Sequence, residues 1–432
     1  MSNDLSSLKR IPSIDRFRGF VIFCMIVFQF AEKFPSLGVI ARLAKHAPGE
    51  DAVYILPNLS LADLIAPAFI LAIGLTYLPS LQRRIERFGK KAAVLHFIKR
   101  YLILIGIGIT MNGINDILDG HFDKPLDLMF IAVTALVLLS SLVGLALKIF
   151  RVKARAKYYV YLSWLVAGAG VVGLAVALVN AVMFVTGSTS SSFGHWLVLH
   201  HIGLAGLIAL PFALLKGNRG HWLRLVSGCV ILLLYAVFHE GNLANDLFNS
   251  NRELIDEVAD GGFIGGFAFG AMLILYLFFA EEFKRRKNKF LPPVSFCVFA
   301  VLTAALIAVE LRTLPEGTET WAGALSSFLP INKGSESPSY VIITGFISLL
   351  VFYIMDLFNG FAPAFDPAAW WGKNPILLYC VEFAVIGGLN AALEDTFKTL
   401  SAPISAVIVI AVAALLTLLA YILHKKDIVV KL

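Results

Sequence analysis

Charge is what this chain has least of. Only 15% of its 432 residues are Asp, Glu, Lys or Arg, against about 25% in an ordinary soluble domain. Cysteine is scarce as well. Cys24, Cys229, Cys297 and Cys380 each fall inside an apolar run and show no zinc-ligand spacing. Thiols so placed pack as small hydrophobes, so neither disulfides nor a bound metal is expected. The short alternating strands of a membrane barrel are missing. So are a polar stretch of soluble-domain length and a clear internal repeat. The first apolar run has no small-residue cleavage site behind it and is expected to stay as a helix.

Apolar residues fill the space that charge leaves. They make up 58% of the chain, with 34 Phe among them, and the mean hydropathy is +0.81. Runs of about 20 apolar residues recur from end to end, the length that crosses a hydrocarbon core about 30 Å thick. The runs fall at 18–35, 61–80, 96–115, 126–148, 159–186, 195–215, 222–239, 262–280, 293–311, 338–358, 374–392 and 402–423. The expected fold is an all-α integral membrane protein. It is read as a single polytopic bundle of about 12 transmembrane helices over residues 1–432.

The loops alternate in character. Basic groups cluster at Lys9–Arg18, Arg83–Lys91, Lys148–Lys157, Lys216–Arg219, Lys284–Lys289 and Lys425–Lys426. All fall on one side, which the positive-inside rule makes cytoplasmic, and both termini are then cytoplasmic. The net charge of +7 is thus spent on topology, and no nucleic-acid partner is expected. At the mouth of the first span, Asp15, Arg16 and Arg18 are expected to sit at the water boundary and pair with one another. An unpaired charge at mid-bilayer would cost roughly 2.5–3.5 kcal/mol on insertion scales. The opposite loops, 36–60, 116–125, 187–194, 240–261, 312–337 and 393–401, are richer in Gly, Pro, Ser and Asn. Loops of such length in a compact protein are often functional. The loop at 240–261 is acidic, with Glu240, Asp246, Glu253, Asp256, Glu257 and Asp260.

Two residues on that side stand out. His46 lies in Lys45-His-Ala-Pro-Gly-Glu50-Asp51. An imidazole is the best general base near neutral pH, although most loop histidines are simply solvated. Asp63 opens the second apolar run and needs a partner or a wet cavity there. It has three open roles: capping the helix, orienting an imidazole, or binding a cationic group. The His46…Asp51 spacing imitates the His-x4-Asp motif of soluble glycerolipid acyltransferases, but without their fold it reads as coincidence.

The order of several segments carries more information than any one of them. Ser13-Ile-Asp15-x-x-Arg18-Gly19 leads into the first span. The loop histidine follows, then Ala62-Asp63-x-x-x-Pro67, with Gly74 further along the same run. This order resembles the transmembrane acyltransferases typified by heparan-alpha-glucosaminide N-acetyltransferase and its bacterial relatives. Val198-Leu-His200-His201-Ile-Gly203 is similar to the family's Val-Leu-Gln-Arg-Leu-Gly. Gly261-Gly-Phe-Ile-Gly265 resembles Glu-Gly-Ile-Leu-Gly. Pro330-Ile-Asn332-Lys333 with Ser339-Tyr340 resembles Pro-Val-Asn-Lys with a downstream Ser-Tyr, and Asn374-Pro-Ile-Leu-Leu-Tyr379 resembles Asn-Ser-Ile-Leu-Val-Tyr. The likeness covers most of the chain except about 122–190, which reads as a two-helix insertion. The family's Gln-Arg pair is His200-His201 here, its Trp-x-Gly after the histidine is absent, and Glu382 stands where human-type members have a histidine.

The resemblance implies acyl transfer across the membrane. Cytosolic acetyl-CoA, or another acyl-CoA, would be the donor. An amine or hydroxyl of an extracytoplasmic sugar or glycan would be the acceptor. His46 would be the catalytic base or a transient acyl carrier, and Asp63 would orient it. Asn332, Lys333, His200 and His201 would bind the acceptor or stabilise an oxyanion. Arg18 and Asn374 would contact the CoA nucleotide, since an Arg fork suits phosphate. The lipid bilayer is the medium, a bacterial cytoplasmic (inner) membrane is the expected location, and a homodimer is compatible. The competing reading is a secondary transporter of about twelve helices for a small polar solute. It is weakened by the lack of related halves, and among the intramembrane charges only Asp356 and Glu382 lie away from the helix ends.

Overall fold

A computed structural model describes residues 12–47, 51–119, 125–149, 155–185, 196, 198–239, 262–286, 288, 290–312, 330–360 and 365–428. The acidic segment 240–261 and the Ser188–Ser192 run lie outside the described residues. The described chain is helical apart from one small hairpin. The first part holds α1 (Pro12–Ala31), the short α2 (Val39–Ala44), the hairpin strands β1 (Tyr54–Leu56) and β2 (Leu59–Ser60), α3 (Ile65–Phe88) and α4 (Lys90–Asp119). Then come α5 (Pro125–Ile149), α6 (Arg155–Val185), α7 (Val198–Ala213), α8 (Gly217–His239) and α9 (Gly262–Arg285). The last part is α10 (Val294–Arg312), α11 (Pro338–Leu357), the short α12 (Pro367–Lys373), α13 (Pro375–Thr399) and α14 (Ala402–Lys425).

Seven of these helices, α3, α4, α6, α8, α9, α11 and α14, are long and apolar enough to cross a membrane. Shorter apolar stretches occupy Leu128–Gly144, Val198–Ala213, Val294–Val309 and Pro375–Asn390. The chain is an all-helical integral membrane protein. Helix α9 is apolar up to its last turns and the most enclosed of the seven, while α14 turns most of its surface outward. That is the division expected between a core helix and a lipid-facing one.

Several boundaries differ from the sequence expectation. Helix α1 starts at Pro12, so Ser13, Asp15 and Arg18 are helical and not in a leading loop. Helix α3 runs on to Phe88, and the basic residues Arg83, Arg84 and Arg87 form its last turns. Arg, Gln and Glu are good helix formers, and the helix stops only at Gly89, whose φ of 81° ends it. Helix α13 continues to Thr399 and takes up most of the expected 393–401 loop. Within the expected 36–60 loop lie α2 and the hairpin.

The charges at the start of α1 find distant partners. Arg16 Nε meets Asp366 Oδ2 at 2.5 Å, and its Nη1 donates to Asn359 Oδ1 at 2.8 Å. Ser13 Oγ donates to Asp356 Oδ1 at 2.7 Å, and Arg286 pairs with the same carboxylate. Pairing is therefore not confined to Asp15, Arg16 and Arg18. It reaches α11 and the segment before α12, and it draws Asp356 to the end of the bundle. Beside this clasp, α1 and α12 touch backbone to backbone. A Cβ at Gly19 would lie 1.7 Å from Ala368 O, and one at Gly372 would lie 1.8 Å from Asp15 O. Small residues permit such close approach between membrane helices.

A second buried cluster fastens α7, α8 and α9. Glu281 Oε2 accepts from Arg224 Nη1 at 2.6 Å and from His221 Nδ1 at 2.9 Å, while Arg224 Nε reaches Phe212 O at 3.1 Å. The charge is enclosed but each oxygen has a donor, which is the condition for tolerating it.

Gly19→Ala must push α1 away from α12. Overpacking of this kind costs about 1–3 kcal/mol. The thermal midpoint of the detergent-solubilised variant is expected to fall by a few degrees. Gly168→Ala, where nothing lies within 4 Å, serves as the control and should leave the midpoint unchanged.

Candidate active site

The site begins where α1 ends. Phe34 is fully buried against Phe30 and Phe397, with ring centroids 5.2 and 4.7 Å away. Ser36 Oγ is bonded to Ser405 Oγ at 2.8 Å. These contacts fix the base of the loop to the ends of α13 and α14. Gly38, with φ of 57°, then turns the chain into α2. The hairpin closes over a two-residue turn, Pro57-Asn58, with Asn58 at φ 54°, a conformation that Asn tolerates better than most residues.

Asp63 sits in a 3-10 turn, Ala62–Leu64, just before α3. Its carboxylate is fully enclosed. One oxygen, Oδ1, faces His46 Nδ1 at 2.7 Å. The other, Oδ2, accepts from Ser60 N at 2.8 Å and from Ala47 N at 3.2 Å. Asp63 therefore does not cap α3; it serves the loop before it. A carboxylate only accepts, so Nδ1 carries a proton, and in a neutral ring Nε2 is then the nitrogen with the lone pair. The His46 side chain is 47% exposed. The arrangement holds an imidazole in one tautomer with its free nitrogen available to a proton donor, the relation that carboxylate–histidine pairs use to orient a base. Asp51 gives its backbone oxygen to Arg42 Nε at 2.8 Å, and the imidazole goes to Asp63.

Helix α11 closes the site from behind. Tyr340 OH donates to Asp63 O at 2.7 Å. One turn earlier, Ser337 caps α11, its Oγ accepting from Tyr340 N at 3.2 Å and from Asn332 N at 3.0 Å. Asn332 Oδ1 accepts from Ser335 N at 3.3 Å, so its side-chain oxygen shapes the turn. Lys333 lies in the same turn, and its backbone oxygen accepts from Glu336 N at 3.0 Å. Glu336 is buried with φ of 53°, and Tyr235 OH donates to Ser335 O. Asn332 is thus tied through the Ser337 hydroxyl to Tyr340, the residue that holds Asp63, and Lys333 follows it in the same turn.

His200 and His201 are placed differently. Both are buried in α7. His200 packs on Trp196, with ring centroids 4.9 Å apart, and His201 on Phe269 at 4.8 Å. A Cβ at Gly108 would be 2.7 Å from His200 Cε1, so α4 leaves just enough room for the ring.

Arg18 lines a narrow crevice with Arg100 and Tyr101 of α4, Phe69 and Ile73 of α3, and Leu199 and Ile202 of α7. Pro375 and Ile376 complete the wall. Asn374, one residue away, donates its amide to Ile428 O at 2.8 Å and is buried. The crevice holds two cations, Arg18 and Arg100, among otherwise largely apolar walls. Leu199 and Ile202 bracket the two histidines, and Phe69 lies about 9 Å along the chain's helical path from Asp63.

No family model and no curated protein matches this chain. The reading of the site rests on its geometry and on the ordered motifs. Arg100, Glu336 and Tyr235 belong to these two regions without having been singled out in the sequence. Arg100 had a visible signal, a cation ten residues into an apolar helix; the other two had none. Among the described residues, no group of three or more His, Cys, Asp or Glu side chains is arranged to hold a metal ion.

Asp63→Ala removes the acceptor shared by Ala47 N, Ser60 N and His46. Hydrogen bonds to a charged group contribute about 1.5–3 kcal/mol each. Amide exchange at Ala47 and Ser60 should accelerate at least tenfold in the variant. Unchanged protection, measured by hydrogen exchange and mass spectrometry, would show that the loop holds itself.

Proposed function

We propose that this protein is a transmembrane acyltransferase, related to the heparan-alpha-glucosaminide N-acetyltransferase type, that moves an acetyl or other acyl group from cytosolic acyl-CoA to an extracytoplasmic sugar. The observation that carries this reading is the His46–Asp63 pair. An enclosed carboxylate fixes a half-exposed imidazole in a loop otherwise built of short turns. In this reading the chain crosses the membrane about twelve times, with both termini in the cytosol. Helix α1 then runs from the donor side, at Arg18, to the acceptor side, where it ends at Ala31. The thirteen helical steps between them span roughly 20 Å.

The division of labour follows from that distance. Arg18 and Arg100 hold the phosphates of the donor's nucleotide end, and the apolar walls of the crevice, which must part to admit it, take its extended arm. His46 Nε2 takes the proton of the acceptor's hydroxyl or amine as the acceptor attacks the acyl carbonyl. Asp63 stabilises the imidazolium that results. Asn332 and Lys333 are assigned the oxyanion or the acceptor. His200 and His201, enclosed in α7, border the crevice and act on its shape.

His46→Ala should abolish the release of CoA from labelled acetyl-CoA while leaving acetyl-CoA binding within about twofold of the wild type. Retained turnover would remove His46 from the reaction. Arg100→Gln should raise the KM for acetyl-CoA about tenfold with little change in kcat, because a charged contact contributes about 1.5–3 kcal/mol. An unchanged KM would take Arg100 out of the donor site.

One observation speaks for transport instead. Glu382 is buried in α13, and the Gln29 amide, oriented to donate, meets its Oε1 at 2.7 Å. Buried carboxyls within a membrane often lie on ion paths. Solute accumulation by sealed vesicles, without acyl transfer, would favour that reading.

A further inference from the structure

The loop that carries His46 exposes large apolar side chains where a water-facing loop would be polar. Val39 and Ile40 on α2 are 62% and 56% exposed, and Tyr54 and Ile55 on β1 are 45% and 41% exposed. Ala41 and Ala44 form the inward side of α2 and are buried. The short helix is thus amphipathic with its larger apolar side chains outward. Helix and hairpin form one platform, because Val53 N donates to Arg42 O at 3.1 Å and Arg42 Nε to Asp51 O at 2.8 Å. Such surface is unfavourable in water.

Its position supplies the reason. The platform follows directly on the end of α1 and is fastened through Phe34 and Ser36 to α13 and α14. It therefore lies at the level where the spanning helices leave the membrane. A helix with an outward apolar face at that level rests in the boundary between headgroups and acyl chains. Arg42 and Lys45 flank the apolar face on α2 and its C-cap, where lipid phosphates would lie. His46 is the next residue after Lys45. Its exposed ring is consequently held in the headgroup layer.

We propose that the acceptor is itself anchored in the membrane: an amphiphile whose sugar head reaches His46 while its apolar tail lies along Val39, Ile40, Tyr54 and Ile55. This rests on the acyl-transfer reading and adds the substrate class. The acceptor's oxygen or nitrogen bonds to the acyl carbonyl carbon and its proton passes to His46 Nε2. The carbon–sulfur bond breaks, and the departing thiolate takes the proton from the imidazolium to leave CoA thiol. A lipid tail keeps the head in the layer where this exchange occurs and confines the search to two dimensions.

The test compares dodecyl glucosaminide with methyl glucosaminide as acceptors for labelled acetyl-CoA, with the full chain in lipid nanodiscs. The expected kcat/KM is at least tenfold higher for the dodecyl compound. Val39→Ser/Ile40→Ser should bring the ratio close to one and leave the methyl compound's rate unchanged; Tyr54→Ser/Ile55→Ser provides a second variant. Equal kcat/KM in the wild type, or a preference untouched by both variants, would overturn the proposal. A dodecyl glucosaminide with a diazirine in its tail gives a readout that needs no turnover. Its label is expected on 37–47 or 51–56, displaced by dodecyl but not by methyl glucosaminide. Labelling that no competitor displaces would mean that the face merely rests on the bilayer, which also overturns the proposal. Displaceable labelling without any acetyl transfer would support the amphiphile site and overturn the acyl-transfer reading.

Discussion

The Asp63 carboxylate is enclosed by protein and receives donors from His46, Ala47 and Ser60. A charge so placed is tolerated only while its donors stay in position. That condition works in both directions. The carboxylate needs the loop, and the loop has little else to hold it: α2 has six residues and the hairpin's strands have three and two. Tyr340 then fixes the backbone of Asp63 itself to α11. The loop thereby acquires the rigidity of the bundle, and the imidazole is held in one place.

The same logic relates the two ends of the molecule. Around Arg18 and Arg100 the crevice is lined by side chains of α1, α3, α4, α7 and α13. Helix α3 serves both regions, with Asp63 just before its first turn and Phe69 on its wall. Any tilt of α3 would move both together. Its fixation is firm: Tyr77 OH donates to Gly206 O at 2.8 Å, and Tyr77 stacks on Tyr101 with centroids 5.6 Å apart. The helix is a rigid link between a cationic mouth and a polar loop.

How much of this was legible in the sequence follows from the range of the interactions. Helix existence was read from local apolar runs, because lipid demands that each crossing satisfy its own backbone. Boundaries were not, since Arg83, Arg84 and Arg87 are polar yet helical, and polarity was taken as the sign of a loop. His46 and Asp63 were legible as chemical types out of place. Their bond was one of three open roles for Asp63, and only the hairpin's turn at Asn58 brings Ser60 and the 3-10 turn under the histidine. Asn332 was read as a binding group, but its amide oxygen closes the turn before α11. The two histidines of α7 were read as site residues from their place in a motif; which way each ring faces depends on Trp196 and Gly108, far away in sequence. Arg16 was expected to pair nearby and instead meets Asp366, because a helix of the last third lies against α1.

That last contact has a consequence for the order in which the molecule is made. Ser13 and Asp356 are 343 residues apart, and Arg16 and Asp366 are 350 apart. Helix α1 leaves the ribosome more than 300 residues before the groups that satisfy its charges and the glycine surface it rests on. Contacts of such long range form late. Until they form, α1 sits in the membrane with its polar mouth uncompensated, and the loop beyond it lacks the α13 and α14 residues that pin Phe34 and Ser36. A chain interrupted before its final helices would contain His46, Asp63 and Tyr340 and still lack an assembled site. The anchorage of the His46 loop thus waits for helices made more than 300 residues later.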